Sequence, residues 1–538
     1  MQSSESLNGV HLRADEKLVS VTEYVPPERN RPMSSLLAMS ALTGVSSSRE
    51  IGMNGPSNAS NTVKTASENE PGHQGKYDVF FVRDAHVVAG FLAELYPALA
   101  RSTVITTMES MGTRDNYITP VHPFDEQEIG KPAHEVRESS DPIARDLTES
   151  KDWGWPYYGA VDTASKNIIT IGKILESDQD TSFLREEYKD RDGKVQTVGH
   201  GLELNARWLR ERMDKNPEGL VESVWKNPKH HPNQTWADST EAFYHADGSW
   251  AEHHPEKEYG VAAVEQQAEA YDALLIAAHV FELQGDLDKA GDMRQRAARL
   301  QRVVLDVFWV EDQTKFGGYF AQGTDRDSEG RLRPLAVRSS DMGNVLNSNL
   351  LMPTGDQVLD EELSTKRDAI IQNLFSSDML GLSGIRTKSK DSARYDDDRY
   401  HGGDSWPWVS AYIADGLDKH GYFGLANELK KRVLETANAT KMLGEFVSGS
   451  DDPTKRIITQ AVTVESSTNP FEKVYAVSQP AQEVQAWTAA AVLKIKCNNN
   501  PFKHTAAAPQ FAQDEEKRLL ETEILKRRFS DNLPTIAF

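Results

Sequence analysis

The chain carries one cysteine, Cys497, in 538 residues. An intrachain disulfide is thereby excluded, too few thiols remain for a cysteine-built zinc site, and a reducing compartment is expected. Positive charge is also short. Sixty Lys plus Arg face 82 Asp plus Glu, a formal net charge of -22, so the long-range field repels polyanions and nucleic acid is not an expected partner. No apolar run reaches the roughly 18 residues of a membrane span, and the opening MQSSESLNGVHLRADEKLV lacks the apolar core of a secretory signal. The expectation is a soluble, cytoplasmic protein without a membrane partner. Missing too are G-x-x-x-x-G-K-[ST], G-x-S-x-G and H-E-x-x-H, the marks of nucleotide hydrolysis, serine hydrolysis and zincin chemistry. Paired histidines do occur near acids in KHHPNQ (229–234) and AEHHPEKE (251–258). Adjacent histidines on a regular element do not face one ligand, so they read as polar loop residues, and no metal or other cofactor is expected.

What is present divides the chain into three parts. Residues 1–75 are rich in Ser, Asn, Gly and Met and read as a flexible arm, because that composition buries too little apolar surface to order itself. From 76 to 498 the pattern becomes long segments with apolar residues at three and four residue spacing, separated by loops bearing Gly, Pro and Trp. About a dozen helices in antiparallel pairs are expected, joined by short turns at QGDLD and KHGYF. The pairs share no sequence repeat, which disfavours a solenoid and leaves a closed ring of hairpins open. Residues 499–538 form a charged tail whose DEEKRLLETEILKRRF reads as a solvated helix.

The ten tryptophans bunch with Gly, Pro and Asp, as in DWGWPYYG (152–159) and GGDSWPW (402–408), a pattern that suits stacking on a flat polar ligand or plugging a loop. Cleavage of a glycosidic bond needs two carboxyl groups, one protonated to assist departure and one ionised to activate water. Acids isolated in aromatic loops are the candidates: Asp84, Glu135, Asp162, Asp238, Glu265, Asp404 and Glu445. Each alone is more often a cap, a salt-bridge partner or a loop hydrogen bond. In NQTWADSTEAF (233–243) an indole beside Asp238 would desolvate it and hold it protonated, yet Asp238 or Ser239 could simply cap a following helix.

In chain order the motifs FFVRDAHVVAGFLAEL, EIGKPAHEVR, WPYYGAVDTA, NQTWADSTEAFYHADGSWA, VEQQAEAYDALLIAAHVFELQGD, VRSSDMGNVLNSNLL, GGDSWPWVSAYIADGLDKHGY, GEFVSG and EVQAWTAAAVL resemble the amylo-alpha-1,6-glucosidases. These are the glucosidase half of glycogen debranching enzymes, within the inverting glycosidases built on an (α/α) six-hairpin barrel. The resemblance spans about residues 77–497 and implies an all-α (α/α)6 barrel and an exo-acting α-glucosidase of oligosaccharides or small glucosides. It makes Asp238 the general acid and Glu445 the general base, with Glu465 and Glu472 as alternatives because LGEFVSG has Gly444 where the family has Pro. It gives Arg83, Asp84, Asp162, Glu265 and Gln267 to sugar hydroxyls and Trp236, Trp406, Trp408 and Trp487 to the cavity wall. The β-rich domain that often precedes this barrel is not seen in the sequence, so a small substrate is expected before a glycogen branch. A sugar-binding barrel without chemistry, and a lyase or epimerase of toroid form, are the competing readings.

Overall fold

The computed structural model describes residues 79–115, 126–138, 140–178, 181–227, 229–440, 442–455, 460–466, 474–480 and 485–498. Both the expected arm (1–75) and the charged tail (499–538) lie outside the described residues. Twelve α-helices are described: α1 (Val82–Leu92), α2 (Pro97–Glu109), α3 (Pro142–Lys151), α4 (Thr163–Asp178), α5 (Val198–Met213), α6 (Val264–Leu283), α7 (Leu287–Val307), α8 (Met342–Asn347), α9 (Gln357–Leu374), α10 (Pro407–Lys419), α11 (Phe423–Thr440) and α12 (Ala486–Asn498).

Six of them close a ring. α1 packs on α4, α4 on α6, α6 on α8, α8 on α10, α10 on α12, and α12 returns to α1. Around it α2, α5, α7, α9 and α11 each lie against the inner helix that precedes them. The two layers differ in sequence as their environments require. Inner α6 buries residues around its whole circumference, from Val264 through Phe281, because helices flank it on every side. Outer α7 buries Ala290, Met293, Ala297, Leu300 and Val304, one stripe at three and four residue spacing, and its other faces carry Asp, Lys and Arg. Truncating fully buried Leu300 to Ala would cost about 2–5 kcal/mol. This is the six-hairpin (α/α)6 barrel that the resemblance implied.

Details depart from the sequence reading where local chemistry overrode periodicity. The apolar run from Ala85 to Ser110 reads as one helix but is broken at Tyr96, because Pro97 has no N–H to donate and disfavours helical backbone in the residue before it. The break converts one long helix into the first inner and outer pair. The turn QGDLD is as short as expected, with Gly285 at φ 82, a left-handed backbone at the end of α6. Helices α3, α8 and α9 were not anticipated, nor were the small hairpins. One hairpin pairs Trp309–Asp312 with Gly317–Phe320, and a three-stranded sheet joins Ala262–Ala263, Gly323–Arg326 and Leu332–Leu335. Inner helix α8 has only six residues and fits because α10 approaches it closely at Gly416, where a Cβ would stand 2.9 Å from the Asn347 backbone.

Candidate active site

All six inner helices begin at one end of the barrel, and the residues at those beginnings meet. Arg83 and Asp84 occupy the first turn of α1. Asp162 immediately precedes α4, Glu265 opens α6, Asp341 precedes α8, Trp406 precedes α10, and Trp487 stands in the first turn of α12. The loop bearing Asp238 reaches over this end from the segment between α5 and α6, where no α-helix is described among its residues. Asp238 and Ser239 therefore cap no α-helix, and the capping alternative falls.

At the centre is a buried guanidinium. Arg83 Nε donates to Asp162 Oδ2 at 2.6 Å, Nη2 to Asp162 Oδ1 at 3.3 Å, and Nη1 to Asp238 Oδ2 at 3.0 Å. Arg83 and Asp162 are almost wholly buried, whereas the Asp238 side chain keeps 25% exposure, so Asp238 is the member of this trio open to a ligand. Burial raises the Asp238 pKa; the Arg83 charge and hydrogen bond oppose this and the Asp162 carboxylate adds to it. Burial likewise pushes Asp84 up to about 7, against Arg83 and with Asp238. Gln485, just before α12, donates to Asp84 Oδ1 at 3.5 Å. Asp84, pushed up to about 7, can hold a proton near neutral pH, and Asp238 is shifted in the same direction, the direction general acid work requires.

An aromatic wall adjoins them. Trp236 meets Trp406 and Trp408 edge to face at 5.6 and 5.5 Å between ring centroids, and Trp408 stacks on Trp487 at 5.3 Å. The Trp236 indole donates to Asp341 Oδ1 at 3.0 Å, and the Trp406 indole to Asp404 Oδ2 at 2.8 Å. Asp404 is wholly buried, also accepts from Thr387 Oγ1 at 2.8 Å, and is pushed up to about 8 by burial. Its place is behind Trp406, which it orients. Glu445 is buried, with its Oε1 accepting from the Tyr400 hydroxyl at 3.1 Å. Tyr400 in turn touches Trp406 and Phe446.

The other expected site residues have varied places. Glu265 is buried beside Asp341, and burial together with that neighbour holds its pKa well above the carboxylate range. Gln267 is spent on structure: its Oε1 accepts from Val221 N at 2.9 Å and its Nε2 donates to Val221 O at 2.9 Å and Ala263 O at 3.0 Å. The Gln267 amide, expected at a sugar hydroxyl, thus braces backbone at both of its ends. Glu135 is buried in an ion pair with Arg137. Of the alternative bases, Glu465 sits on a strand paired with Tyr475, and Glu472 lies outside the described residues.

Sequence reasoning missed Tyr400, His401, Asp341 and Gln485. Asp341 offered a signal, an acid directly before a helix; the structure shows that its side chain makes no cap and instead accepts from Trp236 and Ser339. His401 offered one too, beside two glycines, where its backbone takes φ 57. Among the described residues no group of three His, Cys, Asp or Glu side chains is arranged to hold a metal ion, and no helix is long and apolar enough to cross a membrane.

The model of the mannosylglycerate hydrolase MGH1-like glycoside hydrolase domain matches residues 183–452, half of the 538-residue chain. The chain belongs to this family. The matched span of this MGH1-like protein holds both Asp238 and Glu445. Among solved structures it is similar to the GH63 mannosylglycerate hydrolase of Thermus thermophilus in complex with glucose, at 14% identity and TM-score 0.54, covering 87% of this chain and 100% of that one. An uncharacterized conserved protein from Thermus thermophilus is similar at 15% identity and TM-score 0.52, covering 85% of this chain and 98% of that one. At such identities these likenesses speak to the fold alone. No curated protein matches the chain. The MGH1-like chain is thus a glycoside hydrolase of the six-hairpin type; the motifs placed it in the right superfamily, and within that superfamily the family match is to the MGH1-like domain.

Proposed function

We propose that the protein is an inverting, exo-acting glycoside hydrolase that removes one hexose from a short α-glycoside, with Asp238 as general acid and Glu445 as general base. The observation that carries this reading is the setting of Asp238. It is the exposed member of the Arg83 trio, its pKa is raised by burial, and Trp236 two residues before it packs on Trp406, which Tyr400 links to Glu445. In this scheme Asp238 protonates the departing oxygen and ionised Glu445 takes a proton from water attacking the opposite face of the ring, the two carboxyls standing roughly 6.5–9.5 Å apart. Asp84 holds a hydroxyl of the hexose, Asp162 fixes the Arg83 guanidinium behind Asp238, and the tryptophans exclude water around the sugar.

The structural neighbour's name points to a hexosyl glycerate as one substrate class, and the sequence resemblance to an α-glucoside such as an α-1,6-linked oligosaccharide as another. A panel of glucosylglycerate, mannosylglycerate, maltose, isomaltose and panose, followed by NMR, tests the reading: the hexose released from an α-linked substrate should appear first as the β anomer. Asp238→Asn and Glu445→Gln should each lower turnover at least about a hundredfold while the fold stays intact by circular dichroism. Retained activity in Asp238→Asn removes the general acid assignment, and first appearance of the α anomer removes inversion.

A further inference from the structure

Residues 391–403, reading DSARYDDDRYHGG, form a loop that is fastened on two sides. On one side it is joined to the loop of the proposed acid. Tyr244 Oη donates to Ser392 Oγ at 3.0 Å, Arg394 stacks over the Trp250 ring at 3.9 Å and donates to Gly248 O, Arg399 faces Glu241 at 3.9 Å, and His401 Nδ1 meets Ser239 Oγ at 3.1 Å. On the other side it is joined to the loop of the proposed base. Tyr400 donates to Glu445 Oε1 at 3.1 Å, Gly449 N donates to Asp397 O at 2.8 Å, and Ser448 Oγ donates to Asp398.

Two adjacent residues thus hold the two chemical loops. Tyr400 grips Glu445, and His401 grips the residue next to Asp238. The backbone at His401 takes φ 57, a conformation costly for a residue with a Cβ, and its ring lies flat on Trp406 at 5.0 Å with an interplanar angle of 15°. Rings of Tyr400 and His401 are 4.3 Å apart, so a shift of one is felt by the other.

We infer that the Tyr400–His401 pair is the spacer that sets the separation of the two carboxyl groups, a positioning role for both residues. The inference rests on the acid and base assignment proposed above. Its physical ground is that an inverting site works only within a narrow carboxyl separation, and that misplacement by about 1 Å can cost roughly a hundredfold in rate. A spacer built from consecutive residues in a strained backbone has little slack with which to drift.

The test separates position from folding. Tyr400→Phe removes the hydroxyl and keeps the ring on His401, Trp406 and Phe446, so the thermal midpoint should hold while kcat falls about tenfold or more and KM stays within about twofold. In a Glu445→Gln background the same change should add nothing, because Tyr400 acts through Glu445. His401→Asn should keep most of kcat, since an asparagine amide can occupy the place of Nδ1 and tolerates left-handed backbone, whereas His401→Ala should lose about tenfold in kcat. A Tyr400→Phe enzyme with wild-type kcat, a full multiplicative loss in the double variant, or equal losses in His401→Asn and His401→Ala overturns the spacer. An active Glu445→Gln enzyme is a separate result, which removes the base assignment itself.

Discussion

Replacing Arg83 by methionine tests the buried charge network directly. Methionine keeps much of the side-chain volume and deletes the guanidinium, leaving Asp162 and Asp238 without their shared cation and with Asp84 nearby. Removing one partner of a buried ion pair costs about 3–5 kcal/mol. The Asp162 contact is nearly inaccessible to water and carries most of that figure; the Asp238 contact, with 25% side-chain exposure, is discounted for screening. The loss must also depend on pH. Without Arg83 the already raised Asp84 and Asp238 pKa values rise further, so the folded variant binds more protons than wild type relative to the unfolded chain, and its deficit grows as pH rises. The deficit relative to wild type should be about 3–5 kcal/mol at pH 7.5 and smaller at pH 5, where the carboxyls are partly protonated. Urea unfolding of both proteins at the two pH values, read by tryptophan fluorescence and circular dichroism, gives the comparison. A deficit below about 1 kcal/mol, or one equal at both pH values, refutes the network as described.

Asp404→Asn should gain on the wild type progressively between about pH 4 and pH 8 and level off above that, because an unfolded aspartate ionises at about 4 while the buried Asp404, pushed up to about 8, keeps its proton until then and asparagine does not titrate; thermal midpoints against pH read the gap, and a gap constant across that range counts against it. Trp236→Phe keeps the ring contacts and loses the hydrogen bond to Asp341, so a cost of about 1–3 kcal/mol and a fall in kcat are expected from denaturation and initial rates. Gln267→Ala should act on stability and not on substrate affinity, because both ends of the amide hold backbone; a raised KM with an unchanged thermal midpoint would restore its contact with sugar. Activity should be undiminished in chelator, since neither carboxyl role calls on a cation; strict dependence on a divalent ion, restored by adding it back, counts against the mechanism.

The helical layers were legible in the sequence because burial imposes a period, and the period survives without any tertiary knowledge: the stripe of α7 and the apolar body of α6 are both plain. Breaks were harder. Pro97 sat in view, yet the run on either side of it masked the end of α1. Helix α8 is too short for periodicity to register, and α9 carries a mixed surface in which Leu363, Ala369, Ile370, Ile371 and Leu374 mark its apolar face while Lys366, Arg367 and Asn373 are buried beside them. The candidate acids were visible as a set because they share a setting beside Trp and Gly near helix ends, although each alone reads as a cap or a salt-bridge partner. Their partners were not. Tyr400 and His401 lie in a run of charged residues that looks like solvated loop, and only the fold brings Glu445 and Ser239, distant in sequence, to either side of them.

The gathering of inner-helix beginnings at one mouth has an electrostatic consequence. Each longer helix presents roughly half a positive charge at its N-terminus. Asp84, Asp162, Asp238, Glu265, Asp341, Asp404 and Glu445 stand at that mouth, where Arg83 pairs with Asp162 and Asp238 and Lys388 faces Asp341. The backbone itself therefore supplies part of the counter-charge. That contribution does not titrate and has no side chain to lose, so the mouth can carry many acids while few lysines compete for the space a neutral sugar must occupy.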